Sequence, residues 1–456
     1  MNDVCAEFIR ASVWHGSLEP GRKILAAHPE IAGSDIYTAA ILGDDLAVRR
    51  FLMADPGLAT AKGEPLAWDA LTHLCFSNYL RLDPGRSDAF LRAAQALLDA
   101  GASANTGFWE KNHQPDPEWE SAIYGAAGVA HDPGLTHLLL QHGANPNDEE
   151  TPYHAPETYD NRALRILVES GTLTPDSLTM ILLRKTDWHD FDGITWLLAY
   201  GIDPNATSRF GKTALHNAIL SDNALPIVEA LLDHGADPAR TMERADAIRS
   251  APAGASAIAI AARRGRGDVL DALERRQYSI ELSGVDRLLG ACARNDGDGA
   301  RSLVAREPAA VADLIADGGT FLAQFAGNGN TGGVGLLLDL GVPAAAPFRQ
   351  GNSYIGLAKE STALHAAAWL ARHETVKRLV ERGAPVNAED ARGRTPLVLA
   401  VRACVDSYWT RRRSPDSVRA LLAAGASVQG ALFPSGYAEV DELLKAHGAA
   451  TPAPRE

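Results

Sequence analysis

The side chains best suited to hold a polar molecule or to move a proton lie between residues 107 and 210. Three words carry them: GFWEKNHQPDPEWESAIYG (107–125), TPYHAPETYDN (151–161) and LLRKTDWHDFDG (182–193). In under a quarter of the chain this stretch holds eleven of its 29 aromatic residues and six of its fourteen histidines, so the enrichment is local rather than compositional. Each word sets Trp or Tyr beside His and carboxylates. Aromatic planes supply an apolar wall, and an imidazole beside carboxylates holds or passes a proton. The candidate catalytic residues are His189, Asp190 and Asp187, joined by His154, Tyr153 and Glu157. A histidine between two carboxylates has its charged form favoured and its ring oriented. The candidate ligand-binding residues are Trp109, His113, Trp119, Tyr124, Tyr159, Arg184, Lys185 and Trp188. Three readings stand side by side: packing of long loops, a binding site for a peptide or small polar ligand, and an acid–base site.

Other motifs carry less. GNGNTGG (327–333) has the spacing of a dinucleotide loop, which needs a preceding strand; here it falls in a turn between helices, and no cofactor is expected. Arg209-Phe210-Gly211-Lys212-Thr213 ends like a phosphate loop but lacks its first glycine. There is no His-Glu-x-x-His and no Gly-x-Ser-x-Gly. His113, His131, His154 and His189 have no standard metal-ligand spacing, so no metal is expected. Arg411, Arg412 and Arg413 lie in an insertion and read either as a solvated loop or as an anion or partner contact.

The elements that position these residues follow from a repeat. Two leucines before a Gly-Ala turn recur in LLDAGASAN (97–105), LLQHGANPN (139–147), LLAYGIDPN (197–205), LLDHGADPA (231–239), LVERGAPVN (379–387) and LLAAGASVQ (421–429). A second phrase opens the next unit: TPYH (151–154), TALH (213–216), TALH (362–365) and TPLV (395–398). Thr caps a first helix, Pro suits its first turn, and the Gly after the second helix takes a left-handed conformation. Neither helix can bury its apolar face alone, so the units must stack.

In both phrases and their order the chain resembles ankyrin repeats. The resemblance implies an all-α solenoid of helix-turn-helix units joined by finger loops, with about twelve units and a C-terminal cap. It also implies a concave surface for a protein partner, and structural roles for His216 and His365, which would hydrogen-bond across neighbouring repeats. By repeat regularity the chain divides into divergent units at 1–63, central repeats carrying the candidate site at 64–240, divergent repeats at 241–350, and C-terminal repeats with a cap at 351–456.

Finger lengths vary. Asn205 to Thr213 and Asn387 to Thr395 each span eight positions, whereas Asn105 to Ser121 spans sixteen, and Ala239 to Ser256 and Ala345 to Thr362 span seventeen. Asn147 to Thr151 spans four. Two insertions, 78–88 and 405–417, sit between paired helices. Irregular loops are where binding and chemistry collect.

With 43 basic and 57 acidic residues the net charge is −14, which opposes wholesale binding to nucleic acid or to an anionic membrane. Cys5, Cys75, Cys292 and Cys404 are widely spaced and read as buried thiols in a reducing compartment. No secretory signal and no membrane-length apolar run is visible, so a cytoplasmic location is expected. The excess of Arg over Lys points to a bacterial coding sequence. Two functions are consistent with all this: a scaffold whose groove engages a partner protein or polar ligand, or an enzyme using the central cluster for acid–base catalysis on a polar small molecule. Oligomeric state is not readable from the sequence.

Overall fold

The computed structural model describes residues 3–113, 116–407 and 409–450. The chain packs as two compact units, Met1–Arg209 and Phe210–Glu456. This boundary falls inside the second of the four segments drawn from repeat regularity. Among the described residues the first unit holds six helix pairs, from Asp3–Ser12 with Leu18–Ala27 to Pro175–Asp187 with Phe191–Tyr200. The second holds six more, from Ala214–Leu220 with Leu225–Asp233 to Pro396–Val405 with Asp416–Ala423. An additional helix, Pro308–Ala316, interrupts the second series, and Ala438–Ala446 follows the last pair.

The opening phrases build helix starts. Thr213 accepts a hydrogen bond from the His216 amide, and the His216 Nδ1 lies 2.9 Å from the Thr213 hydroxyl. The other ring nitrogen of His216 is 2.9 Å from the Arg240 carbonyl, in the next finger. His365 repeats this with Thr362 and the Arg394 carbonyl. Both rings are buried, so they tie one unit to the next. Leu215 and Leu364 lie in the core at 1% and 0% exposure. Gly201 and Gly235 close their helices with φ of 103° and 87°, which only glycine adopts without strain.

TPYH at 151–154 departs from the pattern. Its helix, Glu150–His154, starts before Thr151, and Asp148 supplies the cap by accepting from the Thr151 amide at 2.6 Å. The shortened finger is the cause: four positions leave no room for a separate threonine cap.

The fold is helical, as the repeat implies, and the extended fingers add a few short strands. Each extended finger is closed by antiparallel pairing. The first forms a hairpin of β1 (Gly107–Glu110) and β2 (Glu118–Ser121), with Trp109 opposite Trp119 and Phe108 opposite Glu120. Thr241 bridges Ser256, and Pro347–Phe348 pairs with Ser361–Thr362. A long finger cannot leave its amides unpaired against the helices, so it pairs with itself. The GNGNTGG word ends the helix Gly318–Asn328 and opens Thr331–Asp339, with Gly329 and Asn330 as the turn between them. The four cysteines are buried and unpaired. Among the described residues no helix is long and apolar enough to cross a membrane.

Candidate functional site

In the first unit, the hairpin β1–β2 and the helices Ala122–Tyr124, Glu150–His154 and Pro175–Asp187 gather a cluster around His154 and Glu120. Ser121 caps the helix that carries Tyr124 and donates to Asp148, which joins the hairpin to the start of Glu150–His154. A π-turn, Gly125–Val129, follows Tyr124. A Cβ on Gly128 would stand 2.7 Å from the Tyr124 ring and 3.1 Å from the His154 Cβ. The bare backbone therefore lets Tyr124 and His154 approach, with ring centroids 5.4 Å apart.

His154 is clamped between two carboxylates. Its Nε2 lies 3.1 Å from Glu150 and its Nδ1 2.8 Å from Glu157. Burial opposes the imidazolium, but the hydrogen bonds to Glu150 and Glu157 outweigh it and lift the histidine to about 9. Arg184, nearly buried, donates to Glu157 and to Asp187. Its guanidinium stacks on Tyr153, with the carbon 4.0 Å from the ring centroid. Charge thus alternates along Glu150, His154, Glu157, Arg184 and Asp187. Burial raises the Glu157 carboxyl, yet His154 and Arg184 hold it below its ordinary value.

Glu120 does not join this chain of pairs. It is 3% exposed, and its Oε2 is buried with no hydrogen-bond partner. Burial, reinforced by the Glu150 charge, lifts it to about 8. It is therefore a carboxylic acid at neutral pH. Burial and then the charges of Glu120 and Glu150 raise the neighbouring Tyr124 phenol, and burial with Glu150 and Glu149 raises Glu118. Acidic groups crowd the hairpin base, and one has been forced to keep its proton.

In the Asp187–Asp190 segment both carboxylates meet buried cations. Asp187 turns to Arg184, while Asp190 accepts from Lys185 at 2.8 Å, from Asn161 at 2.8 Å and from the Gly193 amide at 3.0 Å. Asp190 is the N-cap of Phe191–Tyr200, and Lys185 is wholly buried. Their first duty is to hold the turn. His189 is exposed at that turn, with φ of 52°. The sequence reading sets His189 between Asp187 and Asp190 as an imidazole they orient, and in the structure those carboxylates also pair with the buried cations Arg184 and Lys185.

The remaining ligand-binding candidates form two aromatic pairs. Trp109 and Trp119 meet across the hairpin at 5.4 Å, with Trp109 59% exposed. Tyr159 and Trp188 meet at 5.6 Å, with Tyr159 exposed. His113 is exposed near the hairpin tip, 3.0 Å from the Asp116 carbonyl. The structure therefore brings together Tyr124, Tyr153, His154, Glu157, Arg184 and Asp187. Glu120 and Glu150 were missed. The signal for Glu120 was present: in EWES, strand alternation puts Glu120 on the face opposite Trp119. Among the described residues no group of three or more His, Cys, Asp or Glu side chains could hold a metal ion.

Stacked helix pairs, fingers at one end and cross-repeat histidine bonds define a helical-repeat protein. The ankyrin-repeat family model matches residues 182–282 and 342–430, so these stretches carry ankyrin repeats. Among solved structures it is similar to the human ASB11 ankyrin repeat domain, at 22% identity over 60% of this chain and 98% of that one, with a TM-score of 0.25. Ankyrin repeats are typically protein-binding scaffolds.

Proposed function

We propose that the protein is a cytoplasmic binding scaffold whose first unit engages a cationic segment of a partner protein at the hairpin base. The observation that carries this reading is the buried Glu120 Oε2, which has no hydrogen-bond partner. A lysine or arginine side chain placed beside it would supply the missing donors and allow ionisation, with Glu118 and Glu150 adding attraction. The Trp109–Trp119 pair offers aromatic faces of the kind on which cations stack. The four buried thiols suit a reducing compartment. The test is calorimetric titration of the full chain with lysine- and arginine-containing peptides. Glu120→Gln should keep the melting temperature or raise it, and should weaken binding about tenfold, the worth of one charge-assisted contact. Binding should strengthen between pH 6 and 9, because the cation requires Glu120 to lose a proton. Unchanged affinity in Glu120→Gln would overturn the reading.

The same acid supports a second reading, an enzyme in which protonated Glu120 is a general acid toward a polar small molecule. A carboxylic acid raised to about 8 is poised for that role at neutral pH. His154 is charged and held from both sides, so it orients rather than abstracts. Turnover that falls as pH rises through 8, and disappears in Glu120→Gln, would favour this reading over the scaffold.

A further inference from the structure

In the second unit, at the ends of the helix pairs where first helix turns to second, arginines replace the usual caps. Five second helices in the chain are capped by Asp44, Asp132, Asp190, Asp296 or Asn330, each accepting from a first-turn amide. Arg266 and Arg372 occupy that position before Gly267–Arg275 and His373–Glu381, with no side-chain cap bond. A cation at a helix N-terminus opposes the helix dipole, so an anion beside it is favoured.

These arginines converge with a third. Asn328 donates to the Arg264 carbonyl at 2.9 Å, and Arg372 donates from Nε to the Gly327 carbonyl at 2.8 Å, so both turns flank the same helix end. Arg412 comes from the 405–417 insertion. Its carbonyl is fixed 2.9 Å from His373 Nε2, and its Nη1 is 3.5 Å from the Leu370 carbonyl. Two carboxylates lie close. Asp222 is bound bidentately by Arg264, and Asp268 by the Nε and Nη2 of Arg266 at 2.8 Å each. Four guanidiniums therefore face two carboxylates. Arg266 is 6% exposed, and its Nη1 is buried without a hydrogen-bond partner. Arg372 and Arg412 each spend a donor on a carbonyl and keep others, since a guanidinium carries five N–H groups.

We propose that Arg266, Arg372 and Arg412 form a binding site for a phosphoryl group on the second unit. A tetrahedral oxyanion accepts from several guanidinium donors at once and cancels the surplus positive charge. Burial, and next the Arg412 charge, bring Arg372 down to about 10. The insertion earns its place here because it delivers Arg412 to a site that Arg266 and Arg372 cannot close alone.

The experiment is titration of the full chain with inorganic phosphate, against chloride at matched ionic strength, read by calorimetry and melting temperature. Phosphate should raise the melting temperature where chloride does not. Arg412→Gln, on an exposed turn, should keep the unliganded melting temperature and lower phosphate affinity about tenfold. Arg372→Gln should lower it at least as much. Arg276→Gln, whose side chain pairs with Glu229 and Asp233, should leave it unchanged. A phosphoserine peptide is the second arm: tighter binding than inorganic phosphate assigns the site to a phosphorylated protein, and equal or weaker binding assigns it to a free phosphate. The site is overturned if neither ligand binds beyond chloride, if Arg412→Gln binds as the parent does, or if Arg276→Gln loses as much affinity as Arg412→Gln.

Discussion

Lys185 and Asp190 form a buried ion pair, Nζ to Oδ2 at 2.8 Å, with the lysine fully enclosed and the aspartate also capping the next helix. Burial lowers the lysine, and the hydrogen bond and charge of Asp190 oppose that. Burial raises Asp190, but Lys185, the Gly193 amide and Asn161 bring it below its ordinary value. Removing one partner leaves an uncompensated buried charge. Asp190→Asn should therefore cost about 3–5 kcal/mol in urea unfolding, and Lys185→Met with Asp190→Asn should recover much of it. His189→Ala, at the exposed turn, should stay within about 0.5 kcal/mol. A His189→Ala loss as large as that of Asp190→Asn would mean that His189 helps to hold the turn.

Stability should fall as the solution becomes alkaline. Glu120 is raised from 4.5 to about 8, so between those values the folded state holds a proton that the unfolded chain has released. His154 is raised from 6.5 to about 9, so its contribution is complete below 6.5 and lost as pH rises through 9. Both slopes have the same sign. Burial holds His73, His131, His216 and His365 below 6.5, and their opposite slope ends there, so denaturation midpoints measured from pH 7 to 9 should decline, and Glu120→Gln should remove the part of the decline between 7 and 8. A midpoint that climbs over that range in the parent would contradict the buried acid.

The repeat was legible because its signals are local. TALH at 213–216 and 362–365 states its cap and its core leucine within four letters, and LLDHGA states a helix end. The hairpin was less legible: the length of the finger from Asn105 to Ser121 was readable, but its pairing depends on amides that only the folded chain brings together. The site was half legible. Tyr153, His154, Glu157 and Arg184 belong to two words whose contact follows from stacking successive units. The pairing of Asp187 with Arg184 and of Asp190 with Lys185 was not legible, because it depends on where the helix ends and not on the adjacency of the carboxylates in sequence. For Glu120 the inward face was readable from strand alternation, but its missing partner was not. Its importance comes from what it lacks, a partner, and a sequence does not show absences.

Leu215→Ala and Leu364→Ala should each cost about 2–5 kcal/mol, the range for emptying a fully packed leucine site. Chemical denaturation is the measurement. A cost below about 0.5 kcal/mol at both positions would mean that the stacking contacts between units are not where the stability resides.

Gly128→Ala tests whether the close approach behind the site matters to binding. The new methyl would stand 2.7 Å from the Tyr124 ring and 3.1 Å from the His154 Cβ. Neither neighbour gives way easily: Tyr124 packs against Trp14 and Phe76, and Glu150 and Glu157 hold His154 from both sides. Overpacking of this kind costs about 1–3 kcal/mol. The helix Glu150–His154 should be pushed away from the hairpin, separating Glu150 from Glu120, so the Glu120 carboxyl should titrate nearer its ordinary value. Gly134→Ala is the control. Its methyl would meet Asp132 at 3.4 Å and Leu91 at 3.5 Å, ordinary contacts, and alanine in that helix should be neutral or stabilising by about 0.5–1 kcal/mol. The readouts are unfolding free energy and the pH dependence of stability between 5 and 8. If Gly128→Ala matches Gly134→Ala in both, the π-turn is an incidental feature of the chain and not what sets the spacing between Tyr124 and His154.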